Sequence, residues 1–364
     1  MIPPSLTLFA VPKAFTGDMA WIQGNAIESW TKLNPRPDIF LMGRDQGTDH
    51  IARKLGIRHI PDIETSEFGT PLMHSIFRRA EECAHTSWLA YINADCLLLD
   101  DFTRALAMLP DELVRYGIPE FLLSSQRVEI DIRQAVDFSN PVWQAEIYGE
   151  VASHGVLDHK TAIELFLFSK GLFRDIPPFA IGRPCWDNWM VWFAWHNRTA
   201  IIDATEAFRV VHQCHDYSHV TGGWRKTRQG DEAQRNILLA RGRFMSLDLA
   251  CTHVLNESGL APGRTPDRGM RDTLVKRRLD RGLEEFNRGR YNEALDYFDD
   301  ALSRSGSLAV ESLHLIRALC LDRLGNREEA LQALTEELAI FPGNVQAQQL
   351  LAKITADRHP EPGE

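Results

Sequence analysis

Two short stretches of this chain hold the residues best able to do chemistry together. The first runs from Trp88 to Asp101, where a long apolar segment is interrupted by Asn93 and Asp95. In open parallel sheets, ligands collect at the carboxyl ends of strands. An acidic residue placed there can reach a hydrated divalent cation that bridges the phosphates of a nucleotide diphosphate, which improves the diphosphate as a leaving group. Asn and Asp are also favoured in plain turns, so the same pair fits a purely structural role. The second stretch, from Val211 to His219, carries His212, His215, Asp216 and His219. Neutral imidazole is a good ligand for Mn²⁺ and a poor one for Mg²⁺, so Mn²⁺ is expected over Mg²⁺ at a cation site that uses His212 or His215. A zinc site made of His212, His215 and His219 is the rival, and histidines bonded to backbone and water are the plain alternative. A spacing of three does not let His212 and His215 face one point from a regular strand, whereas a loop does.

These residues need a scaffold, and the hydrophobic pattern supplies one. Leu6–Val11, Asp38–Met42 and Arg58–Ile63 read as strands, and Ala20–Leu33, His50–Leu55 and Leu72–Ala84 as helices between them. Trp88–Leu99 is the longest apolar run and suits a central strand covered on both faces. Alternation of this kind implies an α/β fold with a mostly parallel sheet flanked by helices. Residues 120–220 are less regular, with a strand expected over Glu120–Ile130 and an aromatic helix over Trp186–His196. Pro262, Gly263, Pro266 and Gly269 mark a linker over 259–272, which closes a first domain of residues 1–258. Residues 273–357 then change to helical hairpins. Gly289-Arg290-Tyr291 precedes Ala294, Phe298 and Ala301, and Gly325-Asn326 precedes Ala330 and Leu334. This pattern resembles tetratricopeptide repeats, which implies a small all-α domain able to hold a protein partner. Two units are few for a free-standing solenoid, so the segment is expected to pack on a neighbour, with 358–364 a disordered tail.

On Tyr91-Ile-Asn93-Ala-Asp95-Cys-Leu-Leu-Leu-Asp100-Asp101-Phe102, residues 6–220 resemble a GT-A-fold glycosyltransferase, in which an Asp-x-Asp motif ends a central strand and holds metal and nucleotide-sugar. The chain departs from that motif at Asn93. The resemblance implies transfer from a nucleotide-sugar, with a uridine donor expected, to a glycan, protein or small-molecule acceptor. It places Pro12, Lys13, Arg44 and Asp45, after the first two strands, beside Asn93 and Asp95 around the nucleotide, with Lys13 or Arg44 able to meet a phosphate. It also implies that a late histidine completes the metal shell. The segment Gly182–Trp189 resembles the acceptor side of such enzymes. There Asp187 would take the proton of the acceptor hydroxyl if transfer inverts the anomeric centre, and Trp186 and Asn188 would meet acceptor or sugar. N-capping explains Asp187 equally well, and core packing the tryptophan.

Composition narrows the field. The 364 residues are long for one compact domain, and 44% hydrophobic residues are ample for a core. A net charge of −10 disfavours general nucleic-acid binding. The six cysteines are scattered, without a Cys-x-x-Cys pair, as expected in a reducing compartment. No apolar window is long enough to span a bilayer and no leader is apparent, so a cytoplasmic protein is expected. Gly-x-Gly-x-x-Gly and P-loop patterns are absent. Two rivals stand beside the transferase: a sugar nucleotidyltransferase, for which Lys13–Gly17 is poor in glycine, and a non-catalytic scaffold working through the helical repeat.

Overall fold

The computed structural model describes residues 5–215, 227, 229–263, 268–305 and 310–356. The chain divides into two units, residues 1–265 and 266–364.

In the first unit, β1 (Leu6–Ala10), β2 (Asp38–Met42), β3 (Arg58–Ile60), β4 (Trp88–Ile92), β6 (Phe121–Ser124), β9 (Leu165–Ser169), β10 (Ala200–Asp203), β12 (His253–Asn256) and β13 (Gly259–Pro262) form one sheet. Its order is β13-β12-β10-β6-β9-β4-β1-β2-β3. All neighbours run parallel except β9, antiparallel to β4 and β6, and β13, antiparallel to β12. A second sheet, ordered β5-β11-β7-β8, comprises β5 (Cys96–Leu97), β7 (Arg127–Ile130), β8 (Val156–Leu157) and β11 (Val210–Gln213).

Strand side chains alternate between faces, and the central strands are apolar on both. Phe9, Phe40, Tyr91 and Phe168 pack towards α3 (Met73–Cys83) and α6 (Trp186–His196). Leu8, Leu41, Ala90 and Ile92 pack on the opposite face, towards α1 (Asp18–Thr31) and α4 (Asp100–Tyr116). Because α4 ends at Gly117 in the left-handed region (φ 63°), the chain can turn straight into β6. The small sheet packs Leu97, Val128 and Val211 on Trp143 and Ile147 of α5 (Trp143–His154).

Three expectations need correction. Trp88–Leu99 is not one strand: β4 stops at Ile92, residues 93–95 turn, and β5 joins the other sheet. Glu120–Ile130 divides in the same way into β6 and β7 around Ser125 and Gln126. Apolar periodicity cannot show a change of sheet, because apolar residues are buried on both sides of each break. The linker expected over 259–272 begins instead as a strand, and a helix starts at Arg268. Gly259, at φ 112°, closes a tight hairpin from β12, and the Leu260 N–H bonds Glu112 Oε2 at 2.8 Å. Turn chemistry and linker chemistry use the same residues.

The second unit is helical among its described residues: α9 (Arg268–Asn287), α10 (Tyr291–Ser305), α11 (Leu313–Arg323), α12 (Arg327–Ile340) and α13 (Val345–Ala356). A Cβ on Gly282 would stand 2.4 Å from the Phe298 ring, so glycine there is what lets α9 and α10 close together. Fully buried Glu337 of α12 accepts the N–H groups of Ser312 (2.7 Å) and His314 (3.2 Å), capping α11 from another helix. The tail expected over 358–364 lies outside the described residues.

Candidate functional site

The large sheet hands three of its strands on to the small one: β4 continues to β5, β6 to β7 and β10 to β11. Asp95 sits where the first of these crossings turns. The Asn93 N–H bonds the Glu164 carbonyl (3.1 Å) and the Cys96 N–H bonds the Asn93 carbonyl (3.2 Å), which tightens the turn. The Asp95 carbonyl accepts both the backbone N–H (3.3 Å) and Nε2 (3.0 Å) of Gln213, and Gln213 Nε2 also reaches the Ile22 carbonyl on α1 at 2.8 Å. The backbone beneath Asp95 is therefore pinned by strand and helix together.

Three basic side chains converge on the Asp95 carboxylate, which is only 7% exposed, and Cys96 Sγ lies 3.6 Å from its Oδ1. His215 Nε2 lies 3.1 Å from Oδ2, Lys13 Nζ 3.7 Å from Oδ2, and His212 Nε2 4.0 Å from Oδ1. The register of β11 sets His212 opposite Cys96 on one side and Glu129 on the other. β11 ends at Gln213, so His215 stands beyond the strand and turns back, its ring 5.4 Å from that of His212. One ligand atom from each of Asp95, His212 and His215 lies within 4.8 Å of the other two. Among the described residues, His212 Nδ1 is buried without a hydrogen-bond partner, and Glu129 Oε1 is 3.7 Å from it. Metal-bound histidines commonly turn their second nitrogen to a carboxylate in this way.

The charges suit a cation. Burial opposes ionisation of Asp95, but the hydrogen bond from His215 and the nearby His212 and Lys13 outweigh it and hold the carboxyl well below the usual range. Burial pushes His212 down to about 4, so its ring is neutral at pH 7 and has a lone pair to give. One carboxylate and two imidazoles form a donor set that fits a borderline divalent cation better than a hard one.

A second acidic group stands behind the turn. Glu164, just before β9, takes the side-chain amide of Asn93 and the guanidinium of Arg127, which also pairs with Glu129 and Asp158. Burial raises the Glu164 carboxyl to about 7 even though Arg127 favours its charge. Neither Glu164 nor Arg127 stood out in the sequence, because nothing in its local pattern shows that β9 and β7 border this turn. Gln213 was hidden in the same way between His212 and Cys214.

The other expected residues scatter more widely. Pro12 is buried in the loop after β1, next to Lys13, whose backbone is clamped by Gln23 (2.6 and 2.9 Å). Arg44 and Asp45 lie exposed after β2, with Arg44 paired to Asp62 rather than drawn to Asp95. Asn93 faces Glu164 and Tyr91 instead of the histidines. Asp187 is in the first turn of α6 but is not its cap, a position held by Cys185 at φ 81°. It accepts the Asn188 N–H (2.8 Å) and is near enough for its charge to raise Glu164 and Tyr91. Asn188 Nδ2 reaches the Thr161 carbonyl at 3.3 Å. Trp186, expected to stack on a sugar, is a core residue: it is 5% exposed and packs edge-on to Tyr91 at 5.4 Å. An amphipathic ring beside Asp187 gave no sign of which face the helix buries. Asp216 and His219 lie outside the described residues.

Among the described residues no helix is long and apolar enough to cross a membrane. No family model and no curated protein matches the chain. Solved structures do resemble it at low identity. A glucosyl-3-phosphoglycerate synthase from Mycobacterium tuberculosis is 13% identical with a TM-score of 0.39, over 66% of this chain and 81% of that one. The same enzyme in complex with Mg²⁺ and uridine diphosphate is 12% identical with a TM-score of 0.37, over 66% of this chain and 79% of that one. A mannosyltransferase from Pyrobaculum calidifontis in complex with GDP-Man and Mn²⁺ is 13% identical with a TM-score of 0.33, over 100% of this chain and 82% of that one.

Proposed function

We propose that the chain is a GT-A-type glycosyltransferase that moves a sugar from a nucleotide-diphosphate donor, a uridine one, to an acceptor hydroxyl. The observation that carries this reading is the convergence of Asp95, His212 and His215 where the central strand β4 ends, with Lys13 from the neighbouring β1 loop beside them. In this reading Asp95, His212 and His215 hold a divalent cation, Mn²⁺ in preference to Mg²⁺. When bound, the cation neutralises the diphosphate and makes it a competent leaving group. Lys13 offers its ammonium to a phosphate oxygen in place of Asp95, as a charge-assisted donor. Pro12, Arg44 and Asp45 border the nucleoside.

Asp187, near enough to Glu164 for its charge to be felt there, is assigned the proton of the attacking hydroxyl for transfer that inverts the anomeric centre. The transition state is oxocarbenium-like, as in glycoside hydrolysis. The helical unit, with repeat-like glycines at 289 and 325, we assign a tetratricopeptide-like role in holding a protein partner.

Calorimetry with nucleotide-sugars and Mn²⁺ tests the proposal. Heat from a uridine-diphosphate sugar, dependent on Mn²⁺ and lost in Asp95→Ala, is expected. A folded Asp95→Ala protein that binds donor and cation as tightly as the parent overturns it. Separate titration of the whole chain with candidate partner proteins addresses the helical unit.

A further inference from the structure

Position 93 carries an amide where a pair of acidic residues would be the simpler cation trap, and the structure holds a reason. Asn93 is bonded on both sides. Its Oδ1 accepts the Tyr91 hydroxyl at 2.5 Å, and its Nδ2 donates to the Glu164 carboxylate. An amide serves because it accepts on one side and donates on the other. Aspartate would take the Tyr91 hydroxyl equally well but would set a second carboxyl against Glu164, a repulsion relieved only when one of the two holds a proton.

Residue 164 faces residue 93 by register. β9 runs antiparallel to β4 with Leu165 opposite Ile92, and the next pair outward joins the Asn93 N–H to the Glu164 carbonyl at 3.1 Å. Glu164 is 8% exposed, and its other oxygen is held by Arg127. Arg127 also pairs with Glu129 at 2.8 Å, and Glu129 is the carboxylate beside His212 Nδ1. One guanidinium thus ties the acidic group behind the Asp95 turn to the acidic group behind His212.

We propose that Glu164 supplies, from the neighbouring strand, the acidic group that the Asn93-Ala94-Asp95 turn lacks at its first position, and that the Tyr91–Asn93–Glu164 chain sets the turn that presents Asp95 to His212 and His215. Glu164 is a positioning residue, acting through Asn93 and Arg127. The proposal rests on the reading of Asp95 as a cation ligand, and it carries a separate signature that needs no cation. Positions 93 and 164 tolerate one carboxylate and one amide, in either order.

The test compares the parent with Asn93→Asp, Glu164→Gln and the double variant at pH 8. Melting temperature without ligand and Mn²⁺ affinity by calorimetry are the two readouts. Asn93→Asp is expected to melt about 5 °C lower and to bind Mn²⁺ roughly tenfold more weakly. In the double variant the carboxylate and the amide have exchanged places, and most of both losses should return. Two results overturn the proposal: Asn93→Asp melting with the parent while binding Mn²⁺ more tightly, as a two-carboxylate trap would, or a double variant as damaged as the sum of the singles. If the parent itself binds no Mn²⁺ while recovery of the melting temperature stands, the pairing of 93 with 164 is upheld and the cation reading of Asp95 is what fails.

Discussion

Two buried carboxylates in the first unit invite comparison. Glu232, in the first turn of α7 (Asp231–Ala240), is 7% exposed, the same as Asp95. It accepts Ser66 Oγ at 2.6 Å, Thr70 Oγ1 at 2.9 Å, and Arg183 Nε and Nη2 at 3.0 and 2.7 Å. Burial disfavours its charge, but these fixed donors more than compensate and its carboxyl lies below the usual range. Three of these donors meet Oε2, and Ser66 holds Oε1. Its work is to clasp three distant segments, the 66–70 loop, Arg183 and α7. Asp95 is held differently: His215 reaches it at 3.1 Å, while Lys13 at 3.7 Å and His212 at 4.0 Å point at it from beyond hydrogen-bond range. Equal burial goes with different surroundings: a guanidinium and two hydroxyls bond Glu232 directly, whereas at Asp95 His215 and Cys96 Sγ are in contact and Lys13 and His212 stand further off.

Four experiments would break or sharpen this contrast. The largest effect is expected from Asp95→Ala, which should lower the transfer rate on the order of 10²–10³-fold while the protein still unfolds cooperatively. Turnover with a nucleotide-sugar and a thermal melt read the two halves, and retained turnover would erase the contrast from the Asp95 side. Glu232→Ala should show the reverse pattern. Leaving Arg183 unpaired at 13% exposure is expected to cost about 3 kcal/mol in urea unfolding, with Mn²⁺ affinity of the folded protein unchanged. A large fall in that affinity would mean that the clasp belongs to the site.

His212→Gln comes next, with Mn²⁺ affinity lowered and Mg²⁺ affinity less affected, since imidazole suits the softer ion. Equal losses for both ions would argue against nitrogen ligation.

The smallest effect concerns pH. The Glu164 carboxyl is raised to about 7 in the folded chain from an ordinary 4.5, so the native state holds more protons than the unfolded state between those values. Stability should therefore fall as pH rises through that window, by about 1–2 kcal/mol after allowing for Arg127. Denaturant melts at pH 5 and pH 8 measure the slope, and Glu164→Gln should flatten it. An unflattened slope would place the titrating group elsewhere.

Much of the architecture was readable in advance because it follows from local pattern. Buried strands announced themselves as apolar runs, helices by their stripes, and the helical character of the C-terminal region by a shift in periodicity. Asp95 and the histidines were visible as polar residues in unusual company. The limits had one cause. Gly259 and Pro262 use the same chemistry for a hairpin as for a linker, and Trp186 has the same ring whether it faces a sugar or Tyr91.

By itself, then, the sequence determined which residues could carry charge, ligate a cation or fill a core, and the α/β and helical character of the two units. Tertiary structure alone decided which of them meet. His215 lies 120 residues from Asp95 in the chain and 3.1 Å from it in space, and Glu164 lies 71 residues from the amide it receives. Those meetings depend on strand order and register, which arise when the whole sheet finds its lowest free energy and which no short window of sequence contains.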